Sequence, residues 1–239
     1  MDCVSKSFWR GVRELRPLRE VTLDVPAGQL VAVYGTRGAG KTTLLRIAAG
    51  LEAPDEGRVL LGGRDIARLD RREQAALRRR IGVVVRREPE IPDVPMLVHV
   101  AMPLYGQGKR AAHRQAAAAL ERCGVGDLAD ARWADLSDTS RTLVAIAHAL
   151  AREPELIVVD DPTGGLSVID RERVIGLLRD AAEHGGCGVL LATPELAGLS
   201  GHVDRVAMLS RGRLIAPEHH DAPDSVATVV EFPGGERSA

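Results

Sequence analysis

The sequence contains no asparagine, and its only lysines are Lys6, Lys41 and Lys109; every other basic residue is arginine. Without asparagine the chain cannot carry the Asn-dependent base-recognition motif of a guanine-nucleotide switch. The arginine bias reads as codon composition more than function. Aromatics are scarce at two Phe, two Trp and two Tyr, so few rings are available to stack on a base. Cys3, Cys123 and Cys187 are far apart, odd in number and lack metal-ligand spacing, which argues against a disulfide framework and fits a reducing cytoplasm. No apolar run nears the ~20 residues needed to span a bilayer. The first residues, with Asp2, Lys6 and Arg10, lack a signal-peptide core. Any membrane role is therefore expected through a partner. A net charge of −1 gives no electrostatic case for nucleic acid.

At 239 residues, 45% hydrophobic and 27% charged, the chain suits one large α/β domain or a domain with an insertion. Its organising stretch runs from Leu30 to Leu51. Leu30–Tyr34 reads as a buried strand, Gly35-Thr36-Arg37-Gly38-Ala39-Gly40-Lys41-Thr42-Thr43 as a phosphate loop, and the following residues as a helix. Gly35, Gly38 and Gly40 let the backbone approach a ligand so that successive N–H groups face phosphate oxygens. Lys41 adds a point charge at the outer phosphates, and Thr42 offers a hydroxyl to Mg²⁺. The positive end of the helix starting near Lys41 favours the anion. The loop predicts nucleoside triphosphate binding.

Taken in order, residues 1–29 suggest antiparallel strands, notably Val21–Val25, ending at Pro26-Ala27-Gly28. Such a small sheet offers Phe8 or Trp9 to a nucleotide base; Phe8 is carried among the binding candidates. Arg58–Leu61 with Gly62-Gly63 reads as a strand and hairpin turn, Leu69–Arg80 as a charged helix with Leu77 inward, and Ile81–Val85 as a buried strand. An Ala-rich helical stretch from Val98 to about Leu150 marks an inserted subdomain, placed at about 86–150. It includes an amphipathic helix over His113–Arg122 and a last helix capped by Ser137 or Asp138. Leu156–Val159 is a buried strand ending at Asp160-Asp161, the Walker B pattern, which sets the Asp160 carboxylate beside the Mg²⁺ held by Thr42. Helix Asp170–Glu183, strand Gly188–Ala192 and a strand pair within Val203–Leu214 complete a domain over 1–216. Strands alternating with helices imply a parallel sheet. Residues 217–239, with His219 and His220, are expected to be a loosely ordered tail.

The motif order resembles the ATP-binding subunit of ATP-binding-cassette (ABC) transporters over about residues 1–215. Leu97–Leu104 looks like the stretch after the Q-loop in the macrolide-export and lipoprotein-release branch. Ser137 with Val144–Leu150 resembles the signature helix, and Asp160-Asp161-Pro162-Thr163 resembles the D-E-P-T of Walker B. The resemblance implies a P-loop NTPase fold with a parallel core sheet, an N-terminal antiparallel β subdomain and an inserted helical subdomain. It further implies Mg-ATP as ligand and a transmembrane permease as partner on the inner face of the cell membrane. Two ATP-binding subunits, identical or different, would sandwich ATP between one phosphate loop and the other's signature motif.

Against that pattern several positions depart. Arg86 stands where the Q-loop glutamine is expected, Asp161 in place of the catalytic glutamate, and Pro194 in place of the switch histidine. Ser167 replaces the D-loop aspartate, and Asp138, Thr139 and Ser140 replace the signature glycines and glutamine. His202 is the candidate for a displaced histidine. Asp161 and Lys41 remain the catalytic candidates. The expectation is a subunit that binds Mg-ATP with hydrolysis slow or lost, or a nucleotide-dependent scaffold that binds without turnover.

Overall fold

The computed structural model describes residues 1–85, 93–194, 196, 199 and 201–215. Arg86 and the segment 217–239 lie outside the described residues. In chain order the strands and α-helices are β1 (Asp2–Arg10), β2 (Arg13–Val21), β3 (Leu30–Tyr34), α1 (Lys41–Ala48), β4 (Glu56–Arg58), β5 (Leu60–Leu61) and β6 (Arg64–Asp65). Next come α2 (Arg71–Arg78), β7 (Ile81–Val85), α3 (Met96–Ala101), α4 (Lys109–Arg122), α5 (Asp138–Leu150) and β8 (Leu156–Asp160). The last are α6 (Val168–Glu183), β9 (Gly188–Thr193), β10 (Arg205–Ser210) and β11 (Arg213–Ile215).

The main sheet runs β11-β10-β3-β9-β8-β7, with every pair parallel except β10 and β11. Its inner strands are continuous apolar runs because both faces are covered. Successive side chains alternate between those faces. Leu30, Ala32, Ile157, Val159, Val189 and Leu191 pack toward α5 and α6, whereas Val31, Val33, Val158, Leu190 and Ala192 pack with Leu44 and Ile47 of α1. The smaller sheet, β2-β1-β4, is antiparallel. Between β7 and β8 the helices α3, α4 and α5 pack together, with Ala112, Ala116, Ala119 and Leu120 forming the buried stripe of α4. Ser137 is the N-cap of α5, accepting from the Ser140 N–H at 3.1 Å.

Two expectations shift. The strand expected at Val21–Val25 lies earlier, over Arg13–Val21. Leu18, Val21 and Leu23 are all buried, but the partner β1 starts at Asp2, so Leu23 finds only the backbone of Met1. The strand expected at Arg58–Leu61 divides around buried Val59, with β4 joining β1 and β5 turning through Gly62-Gly63 to β6.

Candidate functional site

β3 delivers the chain to the carboxyl edge of the sheet, where Gly35–Gly40 turns into α1. Gly40 is the N-cap at φ 109°, and a Cβ there would run into the Pro17 carbonyl of β2. At Gly35 a Cβ would strike the Leu209 carbonyl of β10. Both positions therefore demand glycine through close backbone approach, and Gly40 also through its left-handed conformation. No acidic residue occupies the first turn of α1, so its N-terminal N–H groups present an unopposed positive end.

Lys41 curls back over this loop, its Nζ donating to the carbonyls of Gly35 at 2.5 Å and Thr36 at 3.0 Å. Burial lowers its pKa from the usual lysine range, against the opposing pull of the Asp160 and Asp161 carboxylates. Thr42 Oγ1 donates to Asp160 Oδ2 at 2.7 Å, joining residues 118 positions apart. Asp160 ends β8, and Asp161 leaves the sheet at φ 49°, a conformation uncommon outside glycine, while its N–H donates to the Ala192 carbonyl at 2.8 Å.

These groups open on a cleft of about 550 Å³. Arg37, Gly38, Gly40, Lys41, Thr42 and Thr43 line it from the loop, Asp160 and Asp161 from the end of β8, and Pro194 from beyond β9. Gly35, Thr36 and Ala39 do not line it; they form the back of the loop, with Ala39 in the core and the Thr36 carbonyl holding Lys41. Phe8 lines the cleft, whereas Trp9 is 72% exposed and outside it, because neighbours on a strand point to opposite faces. His202 is not among the lining residues. Leu15, Arg16 and Pro17 also line the cleft and were not among the sequence candidates. Their signal is the hairpin register that sets Phe8 opposite Leu15, which no local motif displays.

A glycine-rich loop running into a helix, with a carboxylate from the end of β8 in the same cleft, narrows the family, and comparison decides it. A sequence profile described as "ABC transporter" matches residues 18–164. The chain belongs to the ABC transporter family. The lipoprotein-releasing system ATP-binding protein LolD of Shewanella denitrificans is 38% identical over 223 residues, spanning 92% of this chain and 95% of that protein. The methionine import ATP-binding protein MetN 1 of Salmonella typhimurium is 34% identical over 232 residues, 96% of this chain and 66% of that protein. Among solved structures, the ATP-binding cassette MJ0796, dimeric in a post-hydrolysis state and bound to ADP and Pi, has a TM-score of 0.79 at 27% identity and covers 89% of this chain and 94% of that one.

As an ABC transporter ATP-binding subunit with LolD-like relatives, the chain has ATP as the ligand its family binds. The Thr42 hydroxyl and Asp160 carboxylate are hard oxygen donors already in contact, the donor chemistry Mg²⁺ accepts while it keeps waters and phosphate oxygens for its other positions. Among the described residues no helix is long and apolar enough to cross a membrane.

Proposed function

We propose that this chain binds Mg-ATP in the 35–43 loop, associates with a second ATP-binding subunit, and couples nucleotide binding to a transmembrane permease while hydrolysing slowly or not at all. The observation that carries the binding reading is the convergence of Lys41, Thr42 and Asp160 on one cleft beside the start of α1. Gly38 and Gly40 N–H groups and Lys41 hold the phosphates, Thr42 and Asp160 hold Mg²⁺, and Phe8 covers the base. When bound, the ion neutralises charge building on the phosphates. Asp161 is the base available to an attacking water, one methylene shorter than a glutamate and so set back by roughly 1 Å. Pro194 occupies the cleft wall with no group able to hydrogen-bond a γ-phosphate. Asp138 supplies its own negative charge to the first turn of α5, where an N–H-lined helix start would otherwise favour a phosphate.

Residues 1–216 form the ATP-binding domain in this reading, with about 86–150 as the inserted helical subdomain. The chain sits at the cytoplasmic face of the membrane through its permease, whose identity sets the cargo. A scaffold that binds nucleotide without turnover uses the same residues, and Pro194 favours it where chemistry is concerned. Phosphate release from the purified chain with Mg-ATP, beside Pro194→His and with nucleotide binding measured in the same samples, tests both. Binding with little or no turnover, rising in Pro194→His, is the expected result. Failure to bind would overturn the reading, and brisk wild-type turnover abolished by Asp161→Ala would overturn the loss of hydrolysis.

A further inference from the structure

The start of α4 gathers positive charge that nothing in the described chain answers. Lys109, Arg110 and Arg114 are exposed, and among the described residues none has an ion-pair partner. Arg110 and Arg114 stand four residues apart and share a side of the helix, as do Lys109 and His113. Lys109 and Arg110 also lie in the first turn, where the helix's own positive end opposes a cation. Gly108, the N-cap, brings no side chain to that end, and the first turn holds no acidic residue. The one acid of α4, Glu121, stands in the last turn against Gly126. Both placements run against the helix dipole.

Beside this charge lies exposed apolar surface. A 3-10 helix over Met102–Gln107 leads into α4, and Tyr105 reaches across to it, its hydroxyl 3.3 Å from His113 Nε2. Residues three apart in such a helix eclipse, so Met102 lies on the side of Tyr105. Met102 is 43% and Tyr105 37% exposed, whereas Leu104 between them turns into the core. On α2 the arginines are interleaved with acids, Arg71 and Arg72 sitting between Asp70 and Glu73. The first two turns of α4 carry charge of one sign only.

We propose that this face of α4, with Tyr105 and Met102 at its margin, docks on the headgroups of an anionic lipid bilayer. The inference goes beyond the nucleotide reading and does not depend on it. Charge selects the occupant: cations without partners in the chain are complementary to a negative surface, and a bilayer containing anionic lipid presents one across the whole patch. Tyrosine suits the boundary because its ring is apolar and its hydroxyl polar. Lysine and arginine can lay their stems along apolar surface while their charged ends stay among the headgroups. A second copy presenting the same face would set cation against cation. The chain's net charge of −1 supplies no general attraction, so binding depends on where the charges are placed.

The test is co-sedimentation of the full-length chain with vesicles of phosphatidylcholine, alone or mixed with phosphatidylglycerol, at low and high salt. Wild type is expected to bind the mixed vesicles at low salt and to leave them at high salt, because screening shortens the reach of surface charge. The triple variant Lys109→Gln/Arg110→Gln/Arg114→Gln should bind them roughly a hundredfold more weakly, about fivefold for each charge removed, and Tyr105→Ser should lose less. None of these side chains lines the nucleotide cleft, and an unchanged thermal unfolding midpoint reports an intact fold. Arg114→Gln alone, expected to lose about fivefold, decides the matter if the triple variant unfolds. As a control, Arg71→Gln/Arg72→Gln/Arg79→Gln removes the same charge from exposed positions on α2 and at its end, and should bind as wild type does. Equal losses in the two triple variants would overturn the assignment to α4. Wild-type binding no stronger to mixed than to neutral vesicles would overturn the lipid surface and leave an acidic protein face as the occupant.

Discussion

Lys41 lines the cleft, and its amine's present partners are carbonyls of its own loop. A phosphate can replace those carbonyls at little cost, because the amine is already positioned and already partly desolvated. Lys41→Ala removes that charge without touching a core contact. The expected outcome is loss of the thermal shift that Mg-ATP gives the wild type, worth about 2.7 kcal/mol at a hundredfold excess over Kd. A shift equal to that of the wild type in differential scanning fluorimetry would sink the site. Most of this residue-level picture was legible in the sequence, since glycine spacing and the lysine that follows are local features. Leu15, Arg16 and Pro17 were not legible, because only the hairpin register brings them to the cleft.

At the scale of elements, α3 and α5 meet through a stack of rings. His99 and His148 lie 4.9 Å apart with planes inclined by 19°, and Trp133 lies 6.3 Å from His99. Burial, with His99 and Arg152 adding like charge, pulls the His148 pKa down to about 4; burial lowers that of His99 as well. A histidine whose folded pKa lies below its unfolded value binds fewer protons when folded, so stability is complete above about pH 6.5 and is lost as pH falls toward 4. The loss from His148 approaches ~1.4 kcal/mol per pH unit inside that window. Urea unfolding from pH 7.5 to 4.5 should therefore show a shallower decline in His148→Gln than in wild type. Parallel declines would refute the assignment. The sequence offered Ser137 or Asp138 as the cap of α5 but not this stack, which joins residues 99 and 148 on separate helices.

For the whole molecule, two apolar clusters on opposite faces of the main, mostly parallel sheet hold the cleft in place. The loop after β3 and the carboxylate after β8 can meet only if β9 lies between them in register, with Val158 beside Leu190 and Leu190 beside Val31. Ile157, fully buried in β8, locks that register against α5 and α6. Ile157→Ala should cost about 2–5 kcal/mol of stability in chemical denaturation. Because the strand carries Asp160 three residues on, the variant should also weaken nucleotide binding. Loss of stability with no change in affinity would show that the Asp160 position is set independently of the core.

The sequence alone determined the phosphate loop, the acidic pair at a strand end, the alternation of strands and helices, and the resemblance that the family comparison bears out, because each is written in residues close together along the chain. Tertiary structure decided which ring faces the cleft, why Gly35 and Gly40 tolerate no side chain, and the contact between Thr42 and Asp160. These depend on strand order and register, which are set by burying two faces of a sheet at once. Short-range spacing does not encode that requirement.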